Sequence, residues 1–584
     1  MAKDTKTNTP GDAETHLSRV SRRGFLAAAS AGALAANMPA AYGDSSSITW
    51  EEKTDVIVVG SGAAAYTAAV SAAKRGCSVL MLEKASHLGG TTAKSGGGWW
   101  APNNSLMRRD GIPDPREDAV KYMARCSFPT LYNPESAFYG LREEDYSLLE
   151  AYYDNASLAT DELADMGALA AEYYIEGGKK YLDYYSQFEE DKAPVGRCLK
   201  PAGAGGNALS GGAEMIRQLS KSADDMGVKL HLNHRVQQLI LDDKGEIAGV
   251  EAMHAGKVLH FAARKAVVFG SGGFTHNVEM AHDYLRGRIF GGCAVPTNTG
   301  DFVNIAIRAG AALGNMNNAW WSQIVLEQAL ASRSVPNDAF NLAGDSSLLV
   351  NRYGRRVVNE KSRYNERTQS HFIWDPVAGE YPNMLQYFIY DSRTAKGSYG
   401  FNSYPIPPGG SDAPYVLSGM TFAGLARNIA ARLTSLAGKL PSEAQLAPGF
   451  ARLLEETVRR FNGFADSGKD KDFHRGENAI DLINVHSSNG KPNPVMYPLS
   501  DQGPYYAVIL AAGTLDTKGG PRINARAQVL NANAHAIPRL YGAGNCIASP
   551  AAQAYWGGGS TIGCAITFGY LAGKHAAGEQ SRDV

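Results

Sequence analysis

Thr54-Asp55-Val56-Ile57-Val58-Val59-Gly60-Ser61-Gly62-Ala63-Ala64-Ala65 is the stretch that decides the fold. Asp55 to Val59 is a short apolar run without alternation, which predicts a strand buried on both faces of a parallel sheet. Gly60 to Ala65 reads G-x-G-x-x-A. Glycines there allow a tight turn and the close approach of a phosphate, and the small Ala65 lets helix and strand pack. Tyr66 to Lys74 predicts the helix that follows, and Ser78 to Leu82 predicts a second strand ending at Glu83. Together they form a βαβ unit of the dinucleotide-binding kind. A pyrophosphate would rest on the helix N-terminus. Glu83 stands where a carboxylate accepts ribose hydroxyls.

Composition bounds what surrounds this unit. At 584 residues the chain has room for two to four domains. With 44% hydrophobic and 20% charged residues it has a globular balance, which excludes a disordered chain. Lys and Arg number 57 against 58 Asp and Glu, a net charge of −1, so the strong basic field of a nucleic-acid binder is absent. Glycine is abundant, at 64 residues, and has no collagen period, which suggests many turns pressed against something. Six scattered cysteines include no C-x-x-C, so zinc ribbons, thioredoxin chemistry and c-type haem attachment lack their signature. They read as small core residues. No metal site is expected.

The first residues look like an address. Ser21-Arg22-Arg23-Gly24-Phe25-Leu26 precedes an alanine-rich apolar run from Ala27 to Ala36, the layout of a twin-arginine signal. Residues 1–43 are expected to be a signal peptide, with processing near Ala41-Tyr42-Gly43. That predicts export of a folded protein, periplasmic in a Gram-negative cell. No later stretch is apolar for long enough to span a bilayer.

A second glycine loop, Gly89-Gly90-Thr91-Thr92-Ala93-Lys94-Ser95-Gly96-Gly97-Gly98, follows just past Glu83. Near the C-terminus, Ile537 to Asn545 reads I-P-x-L-Y-G-A-G-N, and Ser560-Thr561-Ile562-Gly563 opens a further helix. From about residue 54 to 575 the chain resembles the FAD-binding family that includes fumarate reductase flavoproteins and 3-ketosteroid Δ1-dehydrogenases. The resemblance implies an α/β fold. Its Rossmann-like FAD-binding domain would be discontinuous, 48–320 plus 494–584, with an inserted α+β catalytic domain at 321–493. It implies an FAD site built from Gly60, Ser61, Gly62, Ala63 and Ala64, then Glu83 and Lys84. Gly90, Thr91, Thr92, Ser95, Gly96 and Gly97 follow in the second loop. Val236 and Gly270 come from later strands, Asp301 is the flavin-side acid, and Gly544, Asn545, Thr561 and Ile562 close the site. No His stands directly before Thr91 or Thr92, so the FAD is expected to be non-covalent.

The chemistry is expected to rest on tyrosines, of which there are 28. Tyr555 and Gly559 lie in Gln553-Ala554-Tyr555-Trp556-Gly557-Gly558-Gly559, which resembles the Tyr-x-x-x-Gly pair that polarises the ketone in the steroid enzymes. Val357 to Tyr364 resembles their Asn-Glu-Ser-x-x-Tyr stretch, making Tyr364 the base. Tyr181-Leu182-Asp183-Tyr184-Tyr185 resembles their Asp-Tyr-Tyr stretch, making Tyr184 its assistant. The resemblance implies α,β-dehydrogenation of a cyclic ketone: Tyr364 takes the α-proton and a hydride leaves the β-carbon for flavin N5. A tyrosine with its usual pKa of ~10 needs a partner to act as a base. The electron acceptor would be separate, a quinone or a soluble carrier. Trp556, where the steroid enzymes have a small residue, is expected to narrow the pocket. A small monocyclic, cyclohexanone-like ketone is therefore an alternative to a 3-ketosteroid. A fumarate-type reductase would need cations for two carboxylates, and residues 549–563 hold no Arg, Lys or His. A flavin carrier without a substrate is the non-enzymatic alternative.

Overall fold

The computed structural model describes residues 48–205, 210–397, 403–485 and 487–584. The expected signal peptide lies outside the described residues. Strand β1 (Glu52–Val59), helix α1 (Ala63–Lys74) and strand β2 (Val79–Leu82) form where the apolar runs place them. Val56, Ile57 and Val58 are fully buried, because β1 has a parallel partner on each side and helices over the sheet. The first sheet has eight strands. Those completing its main path are β3 (Lys229–His231), β6 (Lys257–Phe269), β7 (Gln528–Leu530) and β8 (Ala536–Gly542), in the order β7-β8-β6-β1-β2-β3. Strands β4 (Arg235–Leu241) and β5 (Ile247–His254) extend β6 as an antiparallel meander. The glycines that end β1 and β6 meet. Gly60 has φ +106°, and a Cβ there would come within 2.6 Å of the Gly270 carbonyl oxygen, so no other residue fits. The floor of a cleft thus opens at the carboxyl ends of the parallel strands.

The second sheet has six strands. At its centre is Tyr505–Thr517, paired antiparallel with Ala319–Val325, Leu385–Asp391 and Val416–Gly419. Ser347–Val350 and Gly291–Gly292 complete it. This sheet reaches past the expected insert on both sides: Ala319–Val325 begins before residue 321, and the central strand lies wholly beyond residue 493. A 13-residue apolar run that can hydrogen-bond on both edges organises a sheet of its own. Helix α2 (Tyr364–Gln369) packs on Ala319–Val325 and presents its first residue to the cleft.

Helix α3 (Ser560–Ala577) lies against α1 with backbone nearly touching backbone. A Cβ at Gly569 or Gly573 would come within 2.5 Å of the Ala64 oxygen or 2.3 Å of the Ala68 oxygen. All six cysteines are free thiols, five of them buried. No helix among the described residues is long and apolar enough to cross a membrane.

Candidate active site

Every residue named above as a cofactor or catalytic candidate lines one cleft. Its nucleotide end is built from the first βαβ unit. Ser61 Oγ donates to Glu83 Oε2 at 2.7 Å, and the Ala85 amide donates to Glu83 Oε1 at 2.7 Å, which fixes the carboxylate at the end of β2. The Ala63 amide donates to Thr92 Oγ1 at 3.1 Å and the Gly89 amide to Ser61 Oγ at 3.0 Å, tying the second glycine loop to the first turn. Gly62 precedes α1 without a side-chain cap of its own, so the first-turn amides beyond Ala63 remain for an anion. Gly97 is pressed against the helix that starts at Ser210: its Cβ would lie 2.2 Å from the Gly211 carbonyl carbon.

Asp301 does not stand with the flavin-side groups. Lys84 Nζ lies 2.9 Å from its Oδ2 and Arg235 Nη2 lies 2.9 Å from its Oδ1, so it sits beside Glu83 and Val236 at the nucleotide end. Burial raises its pKa, but Lys84 and Arg235 outweigh burial and hold the carboxyl below its usual range. Another carboxyl of the cleft, Asp516 beside Asn545, was missed by sequence reading. It is buried in the cleft wall and accepts from the Gly273 and Thr517 amides, Thr275 Oγ1, Asn298 Nδ2 and Asn545 Nδ2 at 2.7–3.2 Å. Burial nevertheless pushes its pKa up.

The three tyrosines converge at the other end. Tyr184 and Tyr364 hydroxyls are 3.0 Å apart. The Tyr555 ring centroid lies 5.2 Å from that of Tyr184 and 5.4 Å from that of Tyr364. Tyr184 is held by its neighbour Asp183, which accepts from the Trp100 indole at 2.7 Å and pairs with Arg197 at 2.6 Å. Tyr364 is the first residue of α2, and the chain before it is anchored by buried polar groups. Glu360 pairs with Arg356 at 2.7 Å and Arg475 at 3.2 Å, and Asn359 donates to Asp481 at 2.9 Å. Tyr555 follows Ala554, whose carbonyl accepts from the buried Lys518 Nζ at 2.6 Å. Its hydroxyl bonds Thr561 Oγ1 at 3.1 Å. Gly559 has φ +87° and a Cβ there would strike the Gly98 backbone at 2.5 Å, so glycine is required where α3 meets the cleft. Burial pushes all three phenols above the ordinary tyrosine value.

Trp556 is not a pocket wall. Tyr555 and Trp556 leave the chain in opposite directions. Tyr555 faces the cleft, whereas Trp556 is fully buried behind it. Its indole donates to Ser127 Oγ at 2.8 Å and its ring packs on Trp100 and Tyr152. Trp99, Trp100, Trp320 and Trp321 are also buried in the core and do not line the cleft. The argument that Trp556 narrows the pocket therefore fails. Trp556→Ala is expected to cost about 3–5 kcal/mol of stability, as large-to-small core changes do. It should leave the ratio of steroid to cyclohexanone kcat/KM unchanged. A thermal melt beside that ratio checks both. The sequence also gave no sign of Asp338, a buried cleft residue that faces the Cys293 thiol and whose pKa burial pushes up to about 7.

The cleft fits FAD on its own geometry: a glycine-only turn at Gly60, uncapped helix amides, a fixed Glu83 carboxylate and a second loop leading to Asn545. The comparisons agree. A family profile described as FAD binding domain matches residues 55–562. The 4-oxocyclohexanecarboxylate 2-dehydrogenase of Sinomonas cyclohexanicum is 31% identical over 566 residues, covering 90% of this chain and 93% of that protein. The 3-oxosteroid 1-dehydrogenase of Mycobacterium tuberculosis is 32% identical over 598 residues, covering 91% and 99%. A crystal structure of 3-ketosteroid delta1-dehydrogenase from Sterolibacterium denitrificans, in complex with 1,4-androstadiene-3,17-dione, matches with a TM-score of 0.74. It is 27% identical and covers 90% of this chain and 99% of that one. With a match across most of its length, the chain belongs to the FAD binding domain family and is an FAD-dependent oxidoreductase.

Proposed function

We propose that the protein dehydrogenates a neutral cyclic ketone at its α,β-carbons, with a 3-ketosteroid as the leading substrate. The observation that carries this reading is the tyrosine cluster, two bonded hydroxyls with a third tyrosine packed against both rings, in a cleft shared with the FAD cradle. Tyr555, with the Gly559 amide at the start of α3, receives the carbonyl oxygen and stabilises the enolate. Tyr364 takes the α-proton, and Tyr184 steadies the oxygen that receives it. When bound, FAD supplies the hydride acceptor for the β-hydrogen.

The cleft favours an uncharged substrate. No arginine is among the described residues lining it, and of its lysines Lys84 is paired with Asp301, so a bidentate clamp for a dicarboxylate has no support there. Burial raises the Asp338 carboxyl toward its neutral form, so it adds no cation-binding charge and suits an uncharged ligand. The second reading is a monocyclic ketone, supported by the similarity to the oxocyclohexanecarboxylate enzyme. Export by the twin-arginine route, and a separate quinone or soluble carrier as electron acceptor, belong to the same proposal. Arg22→Lys with Arg23→Lys, which keeps charge but loses the guanidinium fork, should leave precursor in the cytoplasm.

The test is anaerobic bleaching of the bound flavin. A 3-ketosteroid should bleach it, with cyclohexanone slower and 4-oxocyclohexanecarboxylate slowest. Fumarate should fail to reoxidise the reduced protein. Bleaching by no ketone, with reoxidation by fumarate, would reverse the assignment.

A further inference from the structure

The residue before Tyr364 is a buried cation. Arg363 is 4% exposed and stands behind the cleft wall formed by Tyr181, Tyr184, Asn341 and Tyr364. Its Nη1 donates to the Tyr181 hydroxyl at 3.3 Å and to Asn341 Oδ1 at 3.3 Å, and its Nη2 donates to the Ile480 carbonyl at 2.6 Å. Its guanidinium carbon lies 5.7 Å from the Tyr184 ring centroid. The Tyr181 and Tyr184 rings meet edge-on with centroids 6.3 Å apart, and Tyr184 bonds Tyr364. Three phenols therefore run from the cleft to one guanidinium.

A base must have room for a proton, and a neutral phenol has none. Burial raises Tyr364 and Tyr184 well above the ordinary value. It raises Tyr181 to about 12, while Arg363 pulls both Tyr181 and Tyr184 back down. A buried phenolate needs an opposite charge nearby, and Arg363 is the cation in contact with this chain of rings. The other charged groups facing Arg363 are Glu176 and Asp481, with Arg367 one turn along α2.

We propose that Arg363 is a positioning residue for the base, the counter-ion that holds one phenolate charge across Tyr181, Tyr184 and Tyr364. The inference rests on the ketone-dehydrogenase reading. The cluster first gives one proton to water. The α-carbon–hydrogen bond then breaks, its electron pair stays on the ketone as an enolate held by Tyr555, and the proton joins the Tyr364 oxygen. One negative charge has moved from phenolate to enolate. The proton leaves later to water, which restores the phenolate.

Proton transfer can be read apart from hydride transfer. The holoenzyme is reduced with dithionite, kept anaerobic and mixed in D₂O with cyclohexanone or a 3-ketosteroid. Exchange of the α-hydrogens is followed by NMR across a range of pD. The wild type should exchange, with a rate that rises as the cluster ionises. Arg363→Met should move that rising limb upward by about one unit or more, so exchange near neutrality falls roughly tenfold or more. The direction follows from the charge: without the cation, the phenolate forms only at higher pH. Arg363→Lys should restore most of the exchange. Tyr181→Phe leaves the guanidinium and its Ile480 bond in place, and should shift the limb the same way by less. It decides the matter if Arg363→Met does not fold. An unmoved limb in a yellow, folded Arg363→Met protein, or in Tyr181→Phe, overturns the inference. If the wild type neither exchanges nor is bleached by any ketone, the ketone reading fails first.

Discussion

Tyr364→Phe should lower ketone turnover by ~10²–10⁴-fold while the protein stays yellow and folded. The substitution removes one oxygen. The ring keeps its edge-on contacts with Phe340, Tyr184 and Tyr555, so packing has no reason to fail. What is lost is the atom that accepts the α-proton. The measurement is single-turnover flavin bleaching, with the visible spectrum as the control for FAD retention. Turnover within a few-fold of wild type on every ketone would remove Tyr364 from the reaction.

Tyr555→Phe should cost on the order of 10²–10³-fold, as loss of one oxyanion donor does. The two tyrosines share a chemistry and differ in their backing. Tyr364 stands on Tyr184 and the Arg363 cation. Tyr555 is bonded to Thr561, and burial raises its pKa, so its phenol keeps its proton and remains a donor at working pH. A phenol shaped like the enolate should therefore bind roughly 10–100-fold more weakly to Tyr555→Phe, because its oxygen loses a buried donor. Its binding to Tyr364→Phe should change much less. Equal weakening in both variants would mean that the two hydroxyls are not divided between donor and base.

Local features of the fold were readable from the sequence. An unbroken apolar run, two glycines and a carboxylate at the end of the next strand are close neighbours along the chain, and their spacing carries the geometry. The tyrosines are not of that kind. Residues 184, 364 and 555 meet only through the packing of both sheets, and resemblance rather than spacing joined them. Asp338, Asp516 and Arg363 were missed because burial and partnership define them, and neither is written in a single sequence. The Trp556 error was avoidable. Adjacent residues on extended chain point apart, so a cleft-facing Tyr555 places Trp556 in the core.

The contact between α1 and α3 sets an order of events during biosynthesis. The helix that opens the nucleotide cradle emerges from the ribosome well before its glycine-faced partner, which lies at the far end of the matched domain. Strand β8, inserted between β6 and β7, is similarly late. Until those residues are released, the nascent chain has a phosphate turn without its supporting helix and a sheet without its inner neighbour. FAD can therefore be captured firmly only once α3 has left the ribosome, and a nascent chain stalled before α3 emerges should be colourless.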